Sequence, residues 1–227
     1  MPDKIAILQS NYIPWKGYFD LIRAVDLFVF YDEVQYTKND WRNRNKIKTQ
    51  QGAQWLTIPA GTDLSRKIHE VEINDVHWKK KHRKAIEQNY RKAPFFADYC
   101  YLLDALFDNE IANLSSYNQS TIELLARALD ITTEFVDSRA LNCSGSKTER
   151  LVDLVNKAGG SKYLSGPSAK DYIEPELFER AGITLQYVDY SGYDEYPQLY
   201  GTFDHAVTVL DLLFNVGPEA TRYLKDL

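Results

Sequence analysis

Apolar residues along this chain fall into two rhythms, unbroken short runs and helical spacings, and the first sixty positions already alternate between them. Residues 5–8 form a short apolar run, Trp15, Tyr18, Phe19, Ile22 and Val25 then recur on one helical face behind Pro14, and residues 27–31 are again continuously apolar up to Asp32-Glu33. A continuous run is what a strand buried on both faces of a parallel sheet requires. Proline suits a first helical turn, where its missing N–H is not needed. The opening unit therefore reads as strand, helix, strand.

Further on, residues 55–58 and 68–73 read as strands around a turn at Gly61 and Asp63. Three helical stretches follow between positions 76 and 129, broken near Ala93-Pro94 and Asp108-Asn109, and residues 129–136 return to the sheet. Ser146-Lys147-Thr148-Glu149 has capping-box spacing ahead of Leu151, Leu154, Val155 and Ala158, and Gly159-Gly160 ends that helix. Residues 162–164 and 184–188 are short strands flanking a small helix at 176–181. Residues 207–214 are apolar almost all round, which predicts a buried helix stopped by Gly217-Pro218. The sum is an α/β chain, one domain over residues 1–227, with a Rossmann-like, mostly parallel sheet covered by helices and a helical insertion at about 76–129. In such sheets ligands settle at the carboxyl ends of the strands.

Charge narrows the choice of partner. A formal net charge of -5 argues against a nucleic-acid binder that works by neutralising many phosphates. The densest basic run, Lys79-Lys80-Lys81-His82-Arg83-Lys84, lies on a helix where Arg83, Glu87 and Arg91 are spaced four apart on a solvated face, with His82 on the inner stripe beside Trp78 and Ile86. Cys100 and Cys143 read as buried thiols of a reducing compartment. The absence of an apolar stretch of ~20 residues predicts no membrane span, and the cytoplasm is the expected location. The histidines show no metal-ligand spacing, so no metal site is expected.

Candidate chemistry gathers at the predicted strand ends. Gln9, Asn11, Tyr12 and Trp15 follow the first strand, with amides able to read hydroxyls and carbonyls and aromatics able to stack on a sugar or base; the alternative is a turn that staples the helix to the core. After the second strand come Asp32 and Glu33, either able to take a proton from an amine, with Gln35 and Tyr36 as further binding residues; loop solvation is the bland alternative. Arg42, Arg44, Lys46 and Lys48 stand at every second position of an extended segment and so point one way, suited to a diphosphate or, alternatively, to protecting an edge strand. Lys147 opens a helix whose dipole opposes it by ~0.3 to 1 kcal/mol, which invites an anion as counterweight, the alternative being a simply exposed lysine; Gly145-Ser146-Lys147-Thr148 lacks the glycine spacing of a P-loop. The loop after residue 164 carries Ser165, Lys170, Asp171 and Tyr172, with Lys170 fit to neutralise an oxyanion and Asp171 to act as base; a plain surface loop is the alternative.

In these segments the chain resembles the WbqC-like protein family. The likeness is carried by Gln9, Asn11, Tyr12, Pro14, Trp15, Gly17, Tyr18 and Phe19, by Asp32, Gln35, Tyr36, Trp41, Arg42, Asn43, Arg44 and Asn45, by Lys147-Thr148-Glu149-Arg150, by residues 163–172 and by Asp211-Leu212-Leu213-Phe214-Asn215. The family pattern has proline after Gln9, where this chain has Ser10. Members are associated with surface-polysaccharide and O-antigen gene clusters, so the resemblance implies work on a nucleotide-linked amino sugar, with an amino acid or acyl donor as second partner and ATP or an acyl thioester as the source of activation. The expected reaction is amide formation on that sugar; the alternative is a non-catalytic sugar-nucleotide binding or scaffold protein of a polysaccharide assembly complex.

Overall fold

The computed structural model describes residues 2–227. Strands β1 (Lys4–Leu8), β2 (Leu27–Phe30), β5 (Glu134–Asp137), β6 (Lys162–Ser165) and β7 (Thr184–Tyr187) build a five-stranded sheet in the order β5-β2-β1-β6-β7, every neighbour parallel. Strands β3 (Arg44–Thr49) and β4 (Gly52–Thr57) form a separate antiparallel hairpin.

Period-two alternation explains the unbroken apolar runs. Ile5, Ile7, Leu27 and Val29 face one core, which holds Leu151, Leu154 and Val155 of α6 (Lys147–Lys157) and Phe178 of α7 (Pro175–Arg180). Ala6, Phe28 and Phe30 face the other, shared with α1 (Lys16–Arg23), α5 (Leu114–Ala128) and α8 (Val209–Val216). Helices α2 (His77–Tyr90), α3 (Phe96–Tyr99) and α4 (Tyr101–Phe107) precede α5, and Trp78, Ile86, Tyr90, Leu102, Leu103 and Leu106 join that second core. This is the α/β Rossmann-like architecture expected, helices covering both faces of the sheet.

Several local expectations are corrected. Residues 68–73 form no strand: a 3-10 turn spans Ile68–Glu70, because the His69 amide donates to the Asp32 carbonyl at 3.1 Å and the Glu70 carboxylate takes the Lys67 amide at 2.7 Å. Ser146 precedes α6 without a side-chain capping bond, so the capping box is not made. Pro14 sits just before α1 rather than inside it, with its carbonyl receiving the Val209 amide at 2.8 Å. Cys100 and Cys143 are only partly buried. No helix among the described residues is long and apolar enough to cross a membrane.

From β1 the chain steps outward to β2 and β5 on one side, then returns to lay β6 and β7 on the other. The reversal falls between β1 and β6, where a parallel sheet opens a crevice at its carboxyl edge. Residues 9–15 and 166–172 leave the sheet at that point.

Candidate functional site

The turn after β1 is held by the hairpin that follows β2. The Tyr12 amide donates to the Trp41 carbonyl at 2.8 Å, and Asn45 Nδ2 donates to the carbonyls of Tyr12 and Ile13 at 3.2 and 2.7 Å. Ile13 is fixed at φ 37°, a left-handed conformation a β-branched residue rarely adopts, so these bonds hold strain in the turn. Asn43 anchors the next stretch, its Nδ2 donating to the Ile58 carbonyl at 2.9 Å.

Arg42 reaches back from that hairpin to the crevice. Its Nη2 donates to Gln9 Oε1 at 2.9 Å, its Nη1 lies 3.4 Å from Asp40, and its carbonyl is held by Asn118 of α5 at 2.8 Å. Its Nε is buried without a partner, so the guanidinium still has a donor to give. Tyr172 borders the same space from the β6 side: desolvation raises its phenol pKa and the Arg42 charge opposes the rise. At 67% exposure its ring is open to a ligand. Ser165 is buried, with Oγ donating to the Tyr163 hydroxyl at 3.3 Å.

The remaining cations of the row do not converge on Arg42. Arg44 packs over the Trp55 ring at 4.2 Å and Lys46 over the same ring at 5.1 Å, while Lys48 is buried and donates to Gln198 Oε1 and the Thr202 carbonyl, both at 2.5 Å. Trp41 joins the two groups, its ring 5.6 Å from that of Trp55. Hairpin twist and the packing of the two indoles divide a row that spacing alone aims to one side.

Asp32 is wholly committed to structure. It is 1% exposed; Oδ1 accepts the Ser10 amide at 2.9 Å, and Oδ2 accepts Ser10 Oγ at 2.8 Å, Ser115 Oγ at 2.5 Å and Gln119 Nε2 at 3.1 Å. Such a saturated carboxylate fastens β1, β2 and α5 together rather than waiting for a proton. Tyr12 is fully buried, its hydroxyl 2.8 Å from His82 Nδ1, and Tyr36 is fully buried too. Neither offers a free surface, and the stapling alternative describes Tyr12. Gln35 is exposed, and its side-chain amide donates to the Leu64 carbonyl at 2.8 Å. Lys170 and Asp171 end the 3-10 turn Pro167–Asp171 directly after β6; both are exposed, with Lys170 Nζ 5.2 Å over the Tyr187 ring.

Lys147 lies elsewhere on the carboxyl edge. It lines a cavity of about 600 Å³ with Lys67, Arg139, Arg150 and Glu33, where Arg150 Nη2 donates to Glu33 Oε2 at 2.9 Å and Arg139 is paired with Asp137 at 2.8 Å. Nearer the crevice a narrower slot of about 320 Å³ is walled by Asn11, Trp15 and Trp41. Trp15 is braced there by Tyr190 and Tyr193, ring centres 5.2 and 5.7 Å away, and Gly17 makes room for it, since a Cβ would stand 2.4 Å from the indole. A larger cavity of about 870 Å³ opens beside Arg23, Asp26 and Thr133, at the amino edge of the strands where the sheet offers no diverging loops.

Residues 9–223 match the WbqC-like protein family, nearly the whole chain. The chain belongs to the WbqC-like family. It is also 45% identical over 225 residues to uncharacterized protein Rv1507c of Mycobacterium tuberculosis, covering 98% of this chain and 97% of that one. No solved structure matches it. The match begins at Gln9, the first residue of the crevice, and takes in Arg42, Trp41, Asp32 and the loop after β6. Sequence reading passed over Ser115, Asn118, Gln119, Tyr190 and Tyr193, which position the crevice from far along the chain. Among the supporting residues, Gly17, Asn43, Asn45 and Arg150 stood inside strings that carried the resemblance.

Proposed function

We propose that this WbqC-like protein is an enzyme of surface-polysaccharide precursor biosynthesis that forms an amide on a nucleotide-linked amino sugar. The observation that carries the reading is Arg42, a guanidinium with an unused buried N–H held against Gln9 at the carboxyl-edge crevice, a placement suited to one diphosphate. Gln9 and Tyr172 supply polar and aromatic contacts beside it. The sugar's amine nitrogen attacks the carbonyl carbon of an acyl or aminoacyl thioester, the C–S bond breaks, and the ammonium proton passes through Asp171 to the departing thiolate. Lys170 balances the oxyanion of the tetrahedral intermediate. Asp32 takes no part in this step, because its oxygens are already occupied.

The test is incubation of the protein with nucleoside diphosphate amino sugars and acyl or aminoacyl thioesters, with and without ATP, read by mass. A sugar nucleotide heavier by one acyl group is the expected product, lost in Asp171→Asn while binding persists.

A second reading, sugar-nucleotide binding without catalysis, is favoured by the commitment of Asp32 to structure and the exposure of Asp171. It expects binding in the same crevice, no product, and no effect of Asp171→Asn.

A further inference from the structure

The slot between Trp15 and Trp41 is outside the roles given to Arg42 and the β6 loop, and its chemistry is selective. Asn11, Pro14, Trp15, Trp41, Asn45 and Ala206 line it. Two indoles make it a stacking site for a flat ring. Asn45 contributes nothing further to a ligand, because its Nδ2 is spent on the Tyr12 and Ile13 carbonyls and its Oδ1 on the Lys46 amide. Asn11 is different: its Oδ1 is buried and has no partner in the folded chain.

A buried acceptor without a donor is unfavourable, and the strained Ile13 turn holds this one in place, so a ligand N–H opposite Asn11 removes a cost already built into the fold. The shape and count of polar groups decide the occupant. A pyranose brings several hydroxyls, each needing a partner, into a slot with one free amide. An acyl chain brings no N–H and leaves Asn11 Oδ1 as it is. A nucleobase has two π faces for the indoles and an edge on which a donor and an acceptor stand side by side, the complement of a single amide. Among the described residues no cation lines the slot, but Arg42, next to Trp41 in the chain, turns toward Gln9, so a guanidinium fit for the phosphates attached to a base stands beside the slot's Trp41 wall.

We infer that the slot seats the nucleobase of the nucleotide, stacked on Trp15 and Trp41 and read along one edge by the Asn11 amide. This assignment rests on the nucleotide-linked ligand proposed above.

Calorimetric titration of the full-length protein with uridine diphosphate, adenosine diphosphate and inorganic diphosphate tests it, alongside Asn11→Ala, Trp41→Ala and Trp41→Phe. Trp41 is 41% exposed, so its variants keep the fold, and matching circular dichroism checks this. Nucleoside diphosphate binding is expected to weaken about tenfold or more in Asn11→Ala and Trp41→Ala, to survive in Trp41→Phe, and inorganic diphosphate binding to stay unchanged. Saturation-transfer NMR is expected to mark the base protons more strongly than the ribose or sugar protons. Nucleotide binding indifferent to Asn11→Ala and Trp41→Ala, or slot protection by an acyl thioester alone, overturns the base assignment and leaves the sugar-nucleotide reading standing. Failure of every nucleoside diphosphate to bind removes both.

Discussion

Ser10 and Asp32 are joined twice across the carboxyl edge of the sheet, the Ser10 amide donating to Oδ1 at 2.9 Å and its hydroxyl to Oδ2 at 2.8 Å. The amide bond is one that proline, expected at this position from the family pattern, cannot make. Ser115 and Gln119 of α5 complete the ring of donors, so one carboxylate ties the turn that carries Gln9 to the strand and helix beneath it.

Asp32→Ala strands three buried donors, the Ser10 amide and the hydroxyls of Ser10 and Ser115, while Gln119 keeps Asp137, and is expected to lower unfolding stability by about 3 kcal/mol. Urea denaturation measures it. Asp171→Asn, at an exposed turn, is expected to change stability by no more than about 0.5 kcal/mol, so denaturation separates the buried carboxylate from the exposed one.

Gly17→Ala places a methyl group inside the Trp15 ring position. The helix cannot yield without disturbing Phe19 and Ile22, so Trp15 must leave Tyr190 and Tyr193. A stability loss of about 1–3 kcal/mol and a weakened nucleoside diphosphate titration are expected together.

His82 carries a pH dependence. Burial is the main cause that pushes its imidazole down to about 4 from the ordinary 6.5, against a bond to the Thr57 backbone, with Lys81 lowering it further. Between those values the unfolded chain binds a proton that the folded chain does not, so this contribution to stability is present above pH 6.5 and is lost as pH falls toward 4. The loss amounts to at most about 3 kcal/mol. Comparing denaturation midpoints from pH 7 to pH 4 in the native chain and in His82→Gln isolates it; the variant's curve is expected to be flatter over that window.

The parts of the fold legible in the sequence were those whose burial is local. The runs that became β1 and β2 are apolar because both faces of each strand are covered, and α8 is apolar almost all round because every one of its residues is buried, with Asp211 and Asn215 the hydrogen-bonded exceptions. The stretch at 68–73 has the same residue types, yet its conformation is set by Asp32 and Glu70, one of them more than thirty positions away in sequence, and no local rhythm reports that. The crevice divides in the same way. Gln9, Asn11, Trp15 and Arg42 were visible as polar and aromatic residues at a strand end, and they do gather there. Tyr12 and Tyr36 have the same composition signal but are swallowed by the core, Tyr12 against His82, Trp78 and Tyr117. Alternation along the cation row fixed the side of the strand but not the partners, which Trp55 and Gln198 supply from other elements.

Replacing Arg42 by lysine keeps the charge but loses the forked geometry and the bond to Gln9. Affinity for a nucleoside diphosphate amino sugar is expected to fall by about tenfold in Arg42→Lys and further in Arg42→Ala, since a hydrogen bond to a charged group contributes about 1.5–3 kcal/mol. Isothermal titration at fixed salt reads both.

A crystal soaked with a nucleoside diphosphate amino sugar addresses the central claim most directly. Density for the diphosphate within hydrogen-bonding distance of the Arg42 guanidinium, between the turn after β1 and the loop after β6, is the expected result. A diphosphate seated instead at the amino edge beside Arg23 and Thr133 would contradict it.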